Sequence, residues 1–134
     1  MGIVAVVKQE IKELLQNVKV DADSSIAASY TFPRSFSAFT GHFPGKPILP
    51  GVCQITALIV LLEKVTDTKL KLRYLNRAKF SSPVMPEEEI IIHGQYSATG
   101  QEVSAKFRII KNENGQKVKV SQISVTAEKQ NEYE

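Results

Sequence analysis

The stretch Val52-Cys53-Gln54-Ile55-Thr56-Ala57-Leu58-Ile59-Val60-Leu61-Leu62 is the longest nearly unbroken apolar run in the 134-residue chain. It predicts a helix from about Gly51 to Thr66, with Thr66-Asp67-Thr68 marking its end. A helix that is apolar on nearly every side is buried all round, so the rest of the chain has to wrap it. The run is too short for the ~20 residues that a membrane span needs. Directly before it stands Gly41-His42-Phe43-Pro44-Gly45-Lys46-Pro47-Ile48-Leu49-Pro50-Gly51. This segment holds three of the seven glycines, three of the six prolines and one of the two histidines. Its backbone is constrained, and it delivers a histidine to the start of a buried helix.

The wrapping has to come from the flanks. Val4, Val7, Ile11, Leu14 and Leu15 recur at helical spacing and predict an amphipathic helix over 3–16. Val18 and Val20 alternate with polar neighbours, Asp21 to Ser24 supplies a turn, and Ser25 to Phe32 reads as the second strand of a hairpin. From Lys69 to Phe80 the period is two, with Leu70, Leu72, Tyr74, Ala78 and Phe80 on one parity and the cations on the other. Ser81 to Pro86 is a turn with two prolines. Strands follow over 87–96, 101–111 and 116–129, joined through Ala98-Thr99-Gly100 and Asn112-Glu113-Asn114-Gly115. Val118 and Val120 lie on the opposite parity to Ile123, Val125 and Ala127, which predicts a bulge near Ser121-Gln122. Residues 131–134 read as a frayed tail.

Without repeats or linkers, 1–134 is expected to be one domain. The order of elements predicts an α+β architecture, with an amino-terminal helix added to a curved antiparallel sheet of about five to six strands around the central helix. A sheet that open leaves edges to pair across a dimer.

Composition narrows the function. A balance of 17 basic against 14 acidic residues, +3 overall, is too weak and dispersed for a nucleic-acid binder. The one cysteine, Cys53, has no disulfide or metal-ligand pattern and reads as a small buried hydrophobe. The start lacks a basic leader, and Val6 stands where a myristoylation signal needs Ser or Thr. These features lead us to expect a cytoplasmic protein with no metal, cofactor or membrane span.

The string from Gly41 through Val52 resembles the active-site signature of the hot-dog-fold 3-hydroxyacyl-acyl-carrier-protein dehydratases of fatty-acid synthesis. Ala78-Lys79-Phe80-Ser81-Ser82-Pro83-Val84-Met85-Pro86 resembles that family's strand and Pro-Val-x-Pro turn, and the likeness covers about residues 25–128. It implies a hot-dog fold and a lyase that removes water from a 3-hydroxyacyl thioester to give a trans-2-enoyl thioester, in fatty-acid or polyene/polyketide-type synthesis. The substrate would ride on acyl carrier protein or coenzyme A. The active form would be a homodimer, a heterodimer with another hot-dog chain, or a higher oligomer.

By the same resemblance His42 is the base, and an imidazole titrating near pH 6.5 suits that task. Phe43, Gly51 and Val52 would bind substrate, with the Gly51 and Val52 amides at the helix start facing the thioester oxygen. Two positions depart from the pattern. The acid five residues after Gly51 is here Thr56, whose hydroxyl cannot serve as an acid of useful pKa. It can hold a water, or simply bond a carbonyl one turn back. Val60 replaces the family's common glutamine. Gln54 points elsewhere around the helix, and Glu63 lies roughly 10 Å further along it.

Three functions are therefore open. The chain is a dehydratase with an unusual acid, or a thioester-binding partner subunit of a heteromeric dehydratase, or, less favoured, a thioesterase. His93 reads as a surface or interface strand residue. The basic face from Lys69 to Lys79 reads as a solvated strand face, or as one that meets an acidic carrier protein.

Overall fold

A computed structural model describes residues 3–40 and 45–130. In chain order it has α1 (Ile3–Leu14), β1 (Gln16–Val20), β2 (Ser25–Thr31), a 3-10 turn (Ser37–Phe39), α2 (Gly51–Thr66), β3 (Leu70–Phe80), β4 (Glu89–Thr99), β5 (Glu102–Glu113) and β6 (Gln116–Lys129). The six strands form one sheet in the order β1-β2-β4-β5-β6-β3. Every neighbouring pair is antiparallel. This is the wrapped-helix architecture that the resemblance implies. The tail 131–134 lies outside the described residues.

The apolar run behaves as its composition demands. Ala57, Leu58, Leu61 and Leu62 of α2 have no exposed surface, and they join Ile26, Tyr30, Ile90, Ile92, Ile109 and Ile123 of the sheet in one core. Tyr30 donates its hydroxyl to the Ala57 carbonyl at 3.1 Å, and burial pushes its pKa upward. α2 stops at Asp67, which takes a left-handed conformation (φ 51°) while the Thr68 amide returns to the Glu63 carbonyl at 3.2 Å. α1 lies against α2, with Ile11 fully buried and Lys8 paired to Glu63 at 3.4 Å.

Four boundaries differ from expectation by two residues or more, among them the end of β5, which runs on to Glu113. α1 ends at Leu14 because Asn17 adopts a left-handed conformation (φ 56°) in the irregular start of β1, where its side chain bonds Ser29. β4 begins at Glu89 because Glu87 (φ 69°) is still in the turn, its amide given to the Phe32 carbonyl. β4 also continues to Thr99, leaving a short turn at Gly100 and Gln101.

The bulges decide which side chains face inward. On β6 the register shifts opposite Ile109 and Ile110, so Val120 and Ser121 are both buried. The bulge therefore sits one residue earlier than predicted. β3 carries two irregularities that plain alternation missed, at Arg73 and Asn76. Between them the parity inverts. Tyr74 lies opposite outward Thr126, while Leu75 joins Leu72, Ala78 and Phe80 on the inner face, opposite Val125, Ala127, Ile123 and Ser121. Each bulge adds one residue to one strand only, so a pair of them turns a short segment over.

Gly94 of β4 lies directly beneath Phe107 of β5, where a Cβ would come within 2.3 Å of the ring. Gly94→Ala should destabilise the fold by about 1–3 kcal/mol, since the buried ring has to shift in a packed layer. Urea unfolding should show a lower midpoint at unchanged slope.

Candidate active site

The site is built where α2 begins. Pro50 caps the helix with extended backbone (φ −61°, ψ 146°) and no side-chain hydrogen bond. Its carbonyl accepts the amides of Cys53 and Gln54, at 3.0 and 3.4 Å. The preceding first-turn amides, those of Gly51 and Val52, therefore sit at a helix start that no side chain caps, where the helix dipole favours negative charge. Gly51 lies close under Phe80: a Cβ there would come within 2.8 Å of the ring, which would have to swing aside.

An open cavity of about 1260 Å³ runs along this side of α2. Gly51, Val52, Ile55, Thr56 and Ile59 form one wall and Leu70, Leu72 and Phe80 of β3 another, with Val7 and Lys8 of α1 and Ser81 to Pro83 also lining it. Among the described residues, no aspartate or glutamate lines the cavity. Its breadth follows from β3 being an edge strand: Leu72, Leu75 and Phe80 on its inner face are 36%, 45% and 47% exposed, and Val52 opposite is 68% exposed.

His42 and Phe43 lie outside the described residues, while Thr40 and Ile48 on either side of that segment both line the cavity. Thr56 also lines it, but its hydroxyl donates to the Val52 carbonyl at 2.9 Å, one turn back along its own helix. Val60 is buried in the core and is not among the residues lining the cavity. Gln54 is buried too, its side-chain carbonyl accepting the Ser121 hydroxyl at 2.7 Å. Glu63 is engaged at both oxygens, by Lys8 and by the Leu70 amide at 2.9 Å. Burial, with the Glu10 carboxylate adding to it, pushes the Cys53 thiol upward, which suits a packing role. His93 sits exposed on the opposite face of the sheet, across from Arg108.

Two features escaped the sequence reading. Glu10 of α1 accepts both the amide and the hydroxyl of Ser37, tying α1 to the short turn whose Ser37 and Ala38 line the cavity. Lys111 follows Val103, Ala105, Phe107 and Ile109 on the inward parity of β5 and is only 2% exposed. Its ammonium donates to the Pro83 carbonyl at 2.7 Å and pairs with both Glu88 oxygens at 3.1 and 3.2 Å. The same Glu88 carboxylate accepts the Met85 amide. That lock pins the turn after β3. The turn in turn holds the segment before α2, through the Leu49 amide and the Val84 carbonyl at 2.7 Å. A lysine on a buried strand parity is the signal that could have revealed it.

Known proteins resemble this chain in sequence and in fold. A family model described as ApeI-like, ApeI dehydratase, matches residues 17–123. The 3-hydroxyacyl-[acyl-carrier-protein] dehydratase FabZ of Wolbachia sp. subsp. Drosophila simulans is 35% identical over 116 residues, covering 80% of this chain and 79% of that protein. FabZ of Brucella ovis is 30% identical over 118 residues, covering 82% and 73%. Among solved structures, the dehydratase heterocomplex ApeI:P from Xenorhabdus doucetiae superposes with a TM-score of 0.70 at 18% identity, over 84% of this chain and 95% of that one. The putative thioesterase yhdA from Lactococcus lactis gives 0.67 at 14%, over 98% and 99%. At these identities the structural likenesses establish the hot-dog fold.

The Lys111–Glu88 lock yields a stability test. Glu88→Gln should cost about 3 kcal/mol, because it leaves a buried ammonium without its counter-charge. Adding Lys111→Met should recover much of that loss, and thermal unfolding of the single and double variants measures both.

Proposed function

The chain belongs to the ApeI-like dehydratase family, and from that premise we propose that it works on a 3-hydroxyacyl thioester of acyl carrier protein or coenzyme A. It supplies the base and the oxyanion donors for loss of water. His42 takes the proton from the carbon beside the thioester carbonyl. The Gly51 and Val52 amides stabilise the enolate-like oxygen that develops. The C–O bond at the 3-position then breaks, and the hydroxyl leaves as water once it is protonated, giving the trans-2-enoyl thioester.

The observation that carries this reading is a cavity with an uncapped helix start in its wall and, among the described residues, no carboxylate lining it. The proton for the leaving hydroxyl must then come from elsewhere. Thr56 is a poor donor, since it lacks a useful pKa and its hydroxyl already serves the Val52 carbonyl. The uncovered inner face of β3 and the exposed Val52 form an apolar surface at an open sheet edge, which suits pairing with a second hot-dog chain. We therefore favour a heteromeric dehydratase in which the second chain supplies the acid. A homodimer with a water held near Thr56 is the alternative. Hydrolysis fits less well, because an activated water needs the same missing carboxylate.

The test is turnover of a 3-hydroxyacyl thioester followed by mass spectrometry, with the chain alone and with a carboxylate-bearing hot-dog chain added. Dehydration that needs the added chain and vanishes in His42→Ala supports the heteromer, whereas release of the free carboxylic acid would establish hydrolysis. Thr56→Glu, once shown by circular dichroism to fold, should raise dehydration by the chain alone about a hundredfold, the lower end of what general acid catalysis supplies. No gain would count against inherited geometry at that position.

A further inference from the structure

We propose that the outer face of the sheet, across β3, β6, β5 and β4, is the docking surface for an acidic acyl carrier protein. The proposal rests on the functional reading above and adds where the carrier binds. Two adjacent cross-strand rows on the face turned away from α2 read His93, Arg108, Gln122, Lys79 and then Gln95, Lys106, Ser124, Arg77. Four of the eight side chains are cations and none is a carboxylate. Arg77, His93, Lys106 and Arg108 rim a shallow depression of about 540 Å³.

Among the described residues, no carboxylate forms an ion pair with these cations. The three ion pairs among the described residues use Lys8, Arg73 and Lys111. The next carboxylate along β6 on that face is Glu128, two rows on and already paired with Arg73 at 3.2 Å. On the β2 side, Asp23 receives the Ser25 amide. Set the four cations aside, and 13 of the 17 basic residues remain against 14 acidic ones. The positive charge that looks dispersed along the sequence is therefore gathered on one face.

Size and composition select a protein partner. Two rows across four strands span about 7 by 14 Å, the scale of one helix face rather than of an extended nucleic-acid track. Tyr74, 60% exposed and opposite Thr126, borders the rows, and it is the one exposed aromatic on that face among the described residues. A single aromatic is too few for base stacking, but arginine with tyrosine is the combination that anchors protein interfaces. Position suits delivery as well. Lys79 precedes Phe80, which packs on Gly51, and Ser81, about 7 Å along the chain from Lys79, already lines the cavity. A carrier held here reaches the site past the end of β3 and leaves its edge open to a second chain.

The experiment compares Arg77→Glu/Arg108→Glu with the unaltered chain, in the active assembly, on carrier-borne substrate and on a small-molecule thioester of the same acyl group. The KM for the carrier-borne substrate should rise at least tenfold and kcat should hold, while the small thioester is processed unchanged. Equal effects on both substrates, or none, would overturn the docking site while leaving the reaction intact. If neither substrate turns over, the functional reading fails separately. Fluorescence anisotropy of labelled acyl carrier protein still tests the surface: weakened, salt-sensitive binding in the variant supports it, and unchanged binding overturns it. Tighter binding of labelled DNA than of the carrier would also overturn it. Arg77→Gln/Arg108→Gln, with an intermediate loss and an unchanged melting temperature, separates charge recognition from damage to the fold.

Discussion

A helix without a polar face cannot rest on the surface of a small domain, and α2 is such a helix. Each of its fully buried residues, Ala57, Leu58, Leu61 and Leu62, needs a layer of sheet or helix over it. Removing a leucine side chain from water contributes roughly 1.5–3 kcal/mol, so leaving one side of α2 bare would sacrifice much of the fold's driving force. The sheet supplies the cover, and α1 adds more through Ile11. The bulges belong to the same requirement, since they turn Val120, Ser121 and Leu75 to the face that α2 needs.

Where that wrapping stops, the site begins. β3 is the last strand on its side and leaves Val52, Ile55, Thr56 and Ile59 facing a cavity instead of a packed layer. The uncovered surface is costly for an isolated chain, and it lies beside the helix start that no side chain caps. Two sequence motifs meet there because of hydrogen bonds rather than adjacency. Leu49 reaches Val84, and Val84 belongs to the turn that Lys111 and Glu88 hold from beneath. A buried ion pair is a costly way to stabilise a turn, so its place behind the cavity wall speaks for positional control more than for stability.

The distribution of polar groups separates two surfaces. Around the cavity, carboxylates are absent among the described residues, and the nearby ones are tied up: Glu63 by Lys8 and Leu70, Glu10 by Ser37. The reverse face of the same sheet gathers cations in rows. One side of the sheet thus borders a mostly apolar cavity and an uncapped helix start, and the other presents positive charge.

Much of this was legible in the sequence, wherever the signal is local. The span of α2 follows from a continuous apolar run, the β6 bulge from a change of parity, and the hairpins from their turn residues. The fate of the Thr56 hydroxyl was legible as one of two options, because a threonine inside a helix always has a carbonyl one turn back. The family resemblance rested on two short motifs of this local kind. Only the tertiary structure decided the rest. The β3 irregularities escape plain alternation, although Leu75 and Asn76 break its parity, because an edge strand exposed on both faces tolerates either side chain at either position. Lys111 and Glu88 are 23 residues apart, and the cationic rows run across four strands. Period and turn chemistry are properties of neighbouring residues, whereas register across strands is fixed by the packing of the whole sheet on α2. That packing alone joined the cations into a surface and left the cavity without an acid among its described residues.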